Sequence, residues 1–344
     1  MRSVRTPLLA CLLAAALFGA ATPAAKVLLG GLGPLTLAGL LYLGAALATL
    51  PWLVWGQPRL PRVEGRNLLR LGGAVLFGGV LAPIAMLYGL TSAPAASVSL
   101  WLNLEPVATT ALAWAFFREH VQPRTWLAAA LVFAASVVLA APAGLGLGAA
   151  GAWVGLACLC WGLDNNLTAL IDRLTPAQTT FVKGLVAGTL NLILGLALED
   201  RLAGMGTVLS ALAVGLSSYG LSLVLYIGAA QQLGASRSQM IFASAPFWGV
   251  LLAWGVLLEP PTAVQGLAGV LMLLALAVLN SERHGHEHRH VPTTHTHAHR
   301  HDDGHHEHAH AGLSPSTWHS HEHTHGTMTH AHPHHPDLHH RHEH

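Results

Sequence analysis

Between residues 7 and 279 the chain is a succession of apolar stretches, separated by short connections such as GGLGP, TSAPA, APAGLGLG and LEPPT. A helix needs roughly 20 mostly apolar residues to cross the hydrocarbon layer of a bilayer, where every backbone N–H and C=O must be paired within the segment. Ten stretches of about that length follow one another: 7–29, 35–55, 68–90, 95–117, 126–141, 152–171, 181–198, 208–230, 240–258 and 264–279. The expected fold class is an all-α membrane protein with ten transmembrane helices. The connections leave no room for a soluble domain between spans. Only 10% of the residues are charged while 52% are hydrophobic, whereas an ordinary soluble domain carries about a quarter charged residues.

Shifting the chain against itself by 140 positions lays LNLEPVATTALAWAFFREH onto FASAPFWGVLLAWGVLLEP, pairing Pro106 with Pro246, Trp114 with Trp254 and Glu119 with Glu259. Leu127, Ala128, Leu131, Ala135, Val138 and Leu139 recur as Leu267, Ala268, Leu271, Ala275, Val278 and Leu279. At a shift near 143, Phe18-Gly19 meets Trp161-Gly162. The body thus reads as two five-helix halves, 7–141 and 150–280. An odd number of spans per half places the copies upside down relative to each other, the plan of many secondary transporters.

These features resemble the drug/metabolite transporter superfamily, of the EamA type. The likeness rests on the two five-span halves, on the Pro106 segment ending at Glu119 and on its echo ending at Glu259, and it covers roughly residues 7–280. The resemblance implies a permease that moves a metabolite, drug or other small solute, with some relatives moving magnesium. Members of the family typically end soon after the tenth helix, and this chain does not.

Basic residues set orientation, because short cytoplasmic loops are enriched in Lys and Arg. With the N-terminus inside, the inner loops hold Arg2, Arg5, Arg59, Arg62, Arg66, Arg70, Arg118, Arg124, Arg173 and Arg237, and the outer loops hold Arg201. Both termini are then cytoplasmic, in an inner or plasma membrane. Lys26 and Lys183 read as residues near helix ends that snorkel to the interface. The start of the chain also has the makings of a secretory signal, with Arg2 and Arg5 before an apolar run and LFGAATPAA. The repeat outweighs that reading, since it needs this stretch as the partner of the sixth span.

Ionisable groups at membrane depth are functional candidates. Glu105 falls in the middle of the fourth span and Asp164 in the middle of the sixth, while their repeat counterparts, Ala245 and approximately Ala21, are apolar. Residues four apart share a helix face, so Trp101, Glu105 and Thr109 form one stripe and Cys160, Asp164 and Thr168 another. Pro106 lacks an amide and frees a carbonyl one turn back. Asn103, Asn165, Asn166 and Asn191, with Tyr219, Ser222 and Tyr226, are candidates to complete a pathway that binds a cation or exchanges a proton. The competing reading is an interhelical hydrogen bond that fixes packing. Glu119 and Glu259, at helix ends, are expected to hold the following helix. Cys158 and Cys160 point to different sides of a helix and do not read as a metal pair.

The last 64 residues hold 24 of the 25 histidines and almost no apolar residues. Charges divide accordingly: 13 Lys+Arg less 8 Asp+Glu leaves +5 before residue 281, and 4 less 8 leaves −4 after it. Such a segment lacks the apolar surface for a core and is expected to be disordered. Neutral imidazole is a ligand for Zn, Cu, Ni and Co. The candidate metal ligands are His284, His286, His288, His290, His295, His297, His299, His301, His305, His306, His308 and His310, in a cytoplasmic tail spanning 281–344.

The leading expectation is a carrier of a small solute, a metabolite that is exported, with a metal-binding tail. The alternative is a divalent transition-metal transporter for Zn, Ni or Co, fed or gated by that tail. The expected partners are the lipid bilayer and the solute, and pairing into a homodimer is compatible with this reading. No basic cluster with interleaved aromatics marks a nucleic-acid surface. No nucleophile–base pair or phosphate loop marks an enzyme, and no cofactor is required.

Overall fold

A computed structural model describes residues 5–55, 63–117, 123–140, 148–171, 174–199, 204–233 and 241–280 of the body, and 285–289, 293–299, 319–325 and 329–333 of the tail. The described body is entirely helical. Its helices are α1 (Arg5–Gly19), α2 (Ala21–Leu28), α3 (Pro34–Trp55), α4 (Gly65–Ala74), α5 (Ala82–Ser92), α6 (Ala95–Trp101), α7 (Leu104–Phe117) and α8 (Pro123–Ala140) in the first half. The second half has α9 (Ala149–Ala169), α10 (Pro176–Leu198), α11 (Met205–Val214), α12 (Ser222–Leu233), α13 (Ala245–Gly255) and α14 (Ala263–Asn280). Five runs are long and apolar enough to cross a membrane: Thr6–Leu28, Pro34–Val54, Gly65–Ser92, Ala177–Leu198 and Met205–Tyr226. Pro123–Leu139, Ala245–Gly255 and Ala263–Val278 are apolar but shorter.

Large apolar side chains cover the outer surface. Leu69, Phe116, Leu198, Phe133 and Ile193 are all well exposed. An apolar exterior of this extent belongs in lipid rather than water. The interior is built from small residues and leucines around Leu37, Leu41, Met86, Leu87, Val98 and Val154.

Close helix approach depends on glycine, as is usual where van der Waals packing rather than water drives association. Between α3 and α10, a Cβ at Gly39 would lie 2.5 Å from the backbone N of Leu192, and one at Gly188 would lie 2.8 Å from the N of Leu43. Gly19 packs against Gly249, and Gly162 packs against Ala108 and Thr109. The two contacts correspond under the internal repeat, since Gly19 pairs with Gly162 and Thr109 with Gly249.

Two kinds of irregularity also recur, at spacings of 140 and 141. A π-helical segment, Val75–Leu81, joins α4 to α5, and another, Gly215–Leu221, joins α11 to α12. The helical chain breaks at Leu102–Asn103 between α6 and α7, and again at Ala243–Ser244 before α13. Pro106 and Pro246 follow the breaks, each lacking the amide that would bond one turn back. At the first break Asn103 Nδ2 donates to Leu100 O at 3.0 Å. At the second, Ser244 Oγ donates to Ile241 O at 2.6 Å.

One end of the bundle is stapled by charged side chains. Glu199, at the end of α10, accepts from the N–H of Leu35 (2.8 Å) and Thr36 (3.0 Å) at the start of α3. Glu259 likewise accepts from Ala95 (2.7 Å) and Ala96 (3.0 Å) at the start of α6. A carboxylate satisfies the orphan amides of a helix N-terminus and its dipole. Glu259 therefore holds an earlier helix rather than the following one, because the fold brings the start of α6 beside it. Glu119 lies outside the described residues. At the same end Lys26 Nζ donates to Leu90 O (2.6 Å) and Ala93 O (2.8 Å).

The tail departs from the expected disorder in its described segments. Gly285–Arg289 pairs antiparallel with Thr329–Pro333, and Thr293–His299 pairs with His319–His325. Opposed residues include His295 with His323, His297 with His321 and His299 with His319. Composition argued only against a core, and these two-stranded ladders need none, because cross-strand bonds pair the backbone groups. Of the predicted ligands, His286, His288, His295, His297 and His299 lie in these strands. His284, His290, His301, His305, His306, His308 and His310 lie outside the described residues.

Candidate functional site

The two broken spans face each other across a cavity of about 190 Å³. Leu102, Asn103, Glu105 and Pro106 line it at the break before α7, and Phe242, Ala243, Ala245 and Pro246 line it at the break before α13. Phe18 of α1 and Trp161 of α9, which correspond under the repeat, also face it, as do Tyr219, Thr22 and Ser99. The cavity continues past Thr110, Thr125 and Leu276, toward the end of the bundle opposite the Glu199 and Glu259 staples. Interrupted helices meeting at a repeat interface are the usual setting of a carrier's substrate site.

Among the described residues lining this cavity, Glu105 carries the one formal charge. Its Oε1 accepts from Asn165 Nδ2 at 2.9 Å, and the same amide reaches Thr109 Oγ1 at 3.2 Å. Gly162 lets α9 approach α7 closely enough for that bond. Rings gather on the other side: Phe18 lies 5.8 Å from Tyr219 and 5.4 Å from Phe242 between centroids, and Tyr226 lies 4.7 Å from Phe242.

Asp164 is positioned differently from Glu105. Lys183 of α10 approaches its carboxylate at 2.7 and 2.5 Å, and Thr168 Oγ1 donates to Oδ1 at 2.9 Å. Asp164 is buried, with a side chain 6% exposed, and Lys183 is 17% exposed. Lys183 thus does not snorkel to an interface. It is spent on a buried carboxylate.

The π segment makes room for this pair. Gly78 sits against the Asp164 carboxylate, where a Cβ would overlap it. A π segment disturbs the regular i−4 bonding and leaves carbonyls for other donors. Gly78 O takes the Tyr42 hydroxyl and Trp161 Nε1 (3.1 Å), and Gly79 O takes Asn191 Nδ2 (2.9 Å).

Other predicted site residues serve the frame. Trp101 does not share a stripe with Glu105 and Thr109, because the break at Leu102–Asn103 turns it away, and its indole donates to Ser136 O at 3.2 Å. Asn166 donates to Thr109 O (3.0 Å) and Gly162 O (2.8 Å), and Ser222 to Ala14 O (2.9 Å). Thr109 Oγ1 bonds back to Glu105 O at 2.9 Å. Glu105, Asn103 and Tyr219 are the predicted residues that reach the cavity, with Asn165 bonded to one of them. Phe18, Trp161, Phe242, Thr22 and Ser99 were not singled out. The Phe18/Trp161 pairing in the repeat was the one sequence signal that pointed to any of them.

Among the described residues, no group of three or more His, Cys, Asp or Glu side chains is arranged to hold a metal ion.

Comparison with known proteins yields matches in both halves. Residues 5–141 and 149–281 each match the EamA-like transporter family. An uncharacterized transporter of Methanothermobacter thermautotrophicus is 28% identical over 229 residues, 63% of this chain. That alignment spans 66% of the relative's own length. A crystal structure of a protein superposes with a TM-score of 0.59 at 18% identity, over 81% of this chain and 98% of that one, a likeness of fold.

Proposed function

Because the chain belongs to the EamA-like transporter family, with one match in each half, we propose that it is a secondary carrier that moves a small metabolite across the membrane by alternating access, in the direction of export. One observation carries this reading: the two helix breaks, 141 positions apart, meet at one cavity. In an inverted repeat, exchanging the conformations of the halves turns a cavity open to one side into its counterpart open to the other. The Glu199, Glu259 and Lys26 contacts close one end in the present state. Opening that end requires the contacts to be released. The excess of Arg in the loops at the open end supports a cytoplasmic side for that end and for both termini.

The test is transport by the purified full chain in proteoliposomes. Solute counterflow without ATP, abolished by cross-linking the start of α6 to the end of α13, is the expected result. Uptake that survives the cross-link would overturn alternating access at this end.

The tail favours a second activity, binding of transition metal on the cytoplasmic side. The support is its histidine content and the register that opposes His295, His297 and His299 to three further histidines. Transport of the metal itself has less support, since among the described residues the cavity lining contains neither His nor Cys, the ligands that suit Zn, Ni and Co.

A further inference from the structure

The cavity brings a carboxylate and a set of aromatic rings to the same space, and the charges around it are unequal. Asp164 is neutralised by Lys183. Glu105 has an amide neighbour, Asn165, and among the described residues no Lys or Arg lines its cavity. A carboxylate in a low-dielectric site must be protonated, hydrogen-bonded or matched by a cation. The repeat counterpart of Glu105 across the cavity is Ala245, so the opposite wall offers no second charge.

The rest of the lining selects among cations. Phe18, Trp161, Tyr219 and Phe242 line the same space, and the π face of an aromatic ring attracts a cation and repels an anion. Met86, Ala128, Ala129, Val132 and Ala275 are apolar and offer nothing to an ion's hydration shell. Thr22, Ser99, Asn103, Thr110 and Thr125 add neutral oxygens, but a hard divalent ion takes about six oxygen ligands and carries two charges, against one carboxylate. The volume, about 190 Å³, suits a compact body.

We propose that this cavity binds a small monovalent organic cation, an amine or quaternary ammonium with a compact apolar body, its charge held between the Glu105 carboxylate and the rings of Phe18, Trp161, Tyr219 and Phe242. The proposal rests on the carrier reading for the use of the site and names the class of solute carried.

The test uses the purified full chain in detergent and tritiated choline as probe. Tetramethylammonium is expected to displace it. The carbon isostere of choline, with a tert-butyl group in place of trimethylammonium, and tert-butylacetate, an anion of the same bulk, are expected not to. Glu105→Gln should weaken binding more than tenfold, Glu105→Asp less, and Phe242→Leu, which leaves the carboxylate intact, by about fivefold. Elution as a single species and an unchanged melting temperature establish that each variant is folded, and Phe242→Leu decides the matter if Glu105→Gln fails that check. Displacement by the isostere or the anion, choline binding unaffected by either substitution, or no choline binding would overturn the proposal.

Counterflow of choline in proteoliposomes separates the two readings. Binding without counterflow keeps the cation site and removes the carrier. Counterflow of neutral or anionic metabolites that Glu105→Gln does not alter keeps the carrier and removes the cation site.

Discussion

Lys183 Nζ lies 2.5 Å from Asp164 Oδ2, joining α10 to α9 in the interior of the bundle. Two residues from different spans, neither of which has an ionisable counterpart in the other half, form a matched pair where neither could sit alone. Leaving one member of a buried pair uncompensated costs about 3–5 kcal/mol. Asp164→Asn and Lys183→Met should therefore each lower the melting temperature of the detergent-solubilised protein markedly. The double variant should recover a large part of the loss, since it buries no lone charge. Equal loss in the single and double variants would show that the pair is not coupled.

Gly78→Ala should be among the most damaging glycine substitutions, because its Cβ would overlap the Asp164 carboxylate. Folded yield by size-exclusion chromatography is the measure. Gly155→Ala is the control: nothing lies within 4 Å of a Cβ there. Relief of the glycine penalty, about 0.5–1 kcal/mol, makes it neutral or slightly stabilising.

Glu259→Ala removes the acceptor for the amides of Ala95 and Ala96. Loss of a helix N-terminal cap costs about 0.5–2 kcal/mol. On the alternating-access reading the loss falls on the state seen here and shifts the population toward the other. A cysteine placed at Ala96 should be labelled faster in the Glu259→Ala background than with Glu259 present. Glu199→Ala should act in the same direction at the start of α3. Unchanged labelling would mean that these contacts hold helices without biasing the ends.

Ending the chain at Asn280 should remove most bound Zn or Ni, read by elemental analysis of the purified protein, and leave counterflow intact. Imidazole must be neutral to coordinate and titrates near 6.5. Metal retention by the full chain should therefore fall as the pH is lowered from 7.5 to 5.5. Retention that survives truncation would move the metal to the body.

The apolar runs, the repeat at a spacing of 140 and the paired prolines were all legible in the sequence. Lipid solvates each residue of a span locally, so a spanning helix must be apolar along its own length. A proline breaks amide bonding within its own turn, which is why Pro106 gave a local signal of a freed carbonyl, although both spans read as unbroken helices. Glu105 was legible for the same reason, as a charge in an apolar run.

What only the tertiary structure decided is how side chains of different helices meet. Glu105 and Asp164 looked alike in sequence, but α10 brings Lys183 to one and the cavity opens on the other. Trp101 belonged to the Glu105 stripe on an unbroken helix, and the break at Leu102–Asn103 removes it. Phe18, Trp161, Tyr219 and Phe242 come from four spans, and no local pattern distinguishes rings that face a cavity from rings that face lipid. The backbone solves its hydrogen bonding within a helix, so sequence determines that part. Placement of one helix against another depends on close approaches such as Gly39 to Leu192 and Gly19 to Gly249, contacts between residues far apart in the chain that only the assembled bundle can make.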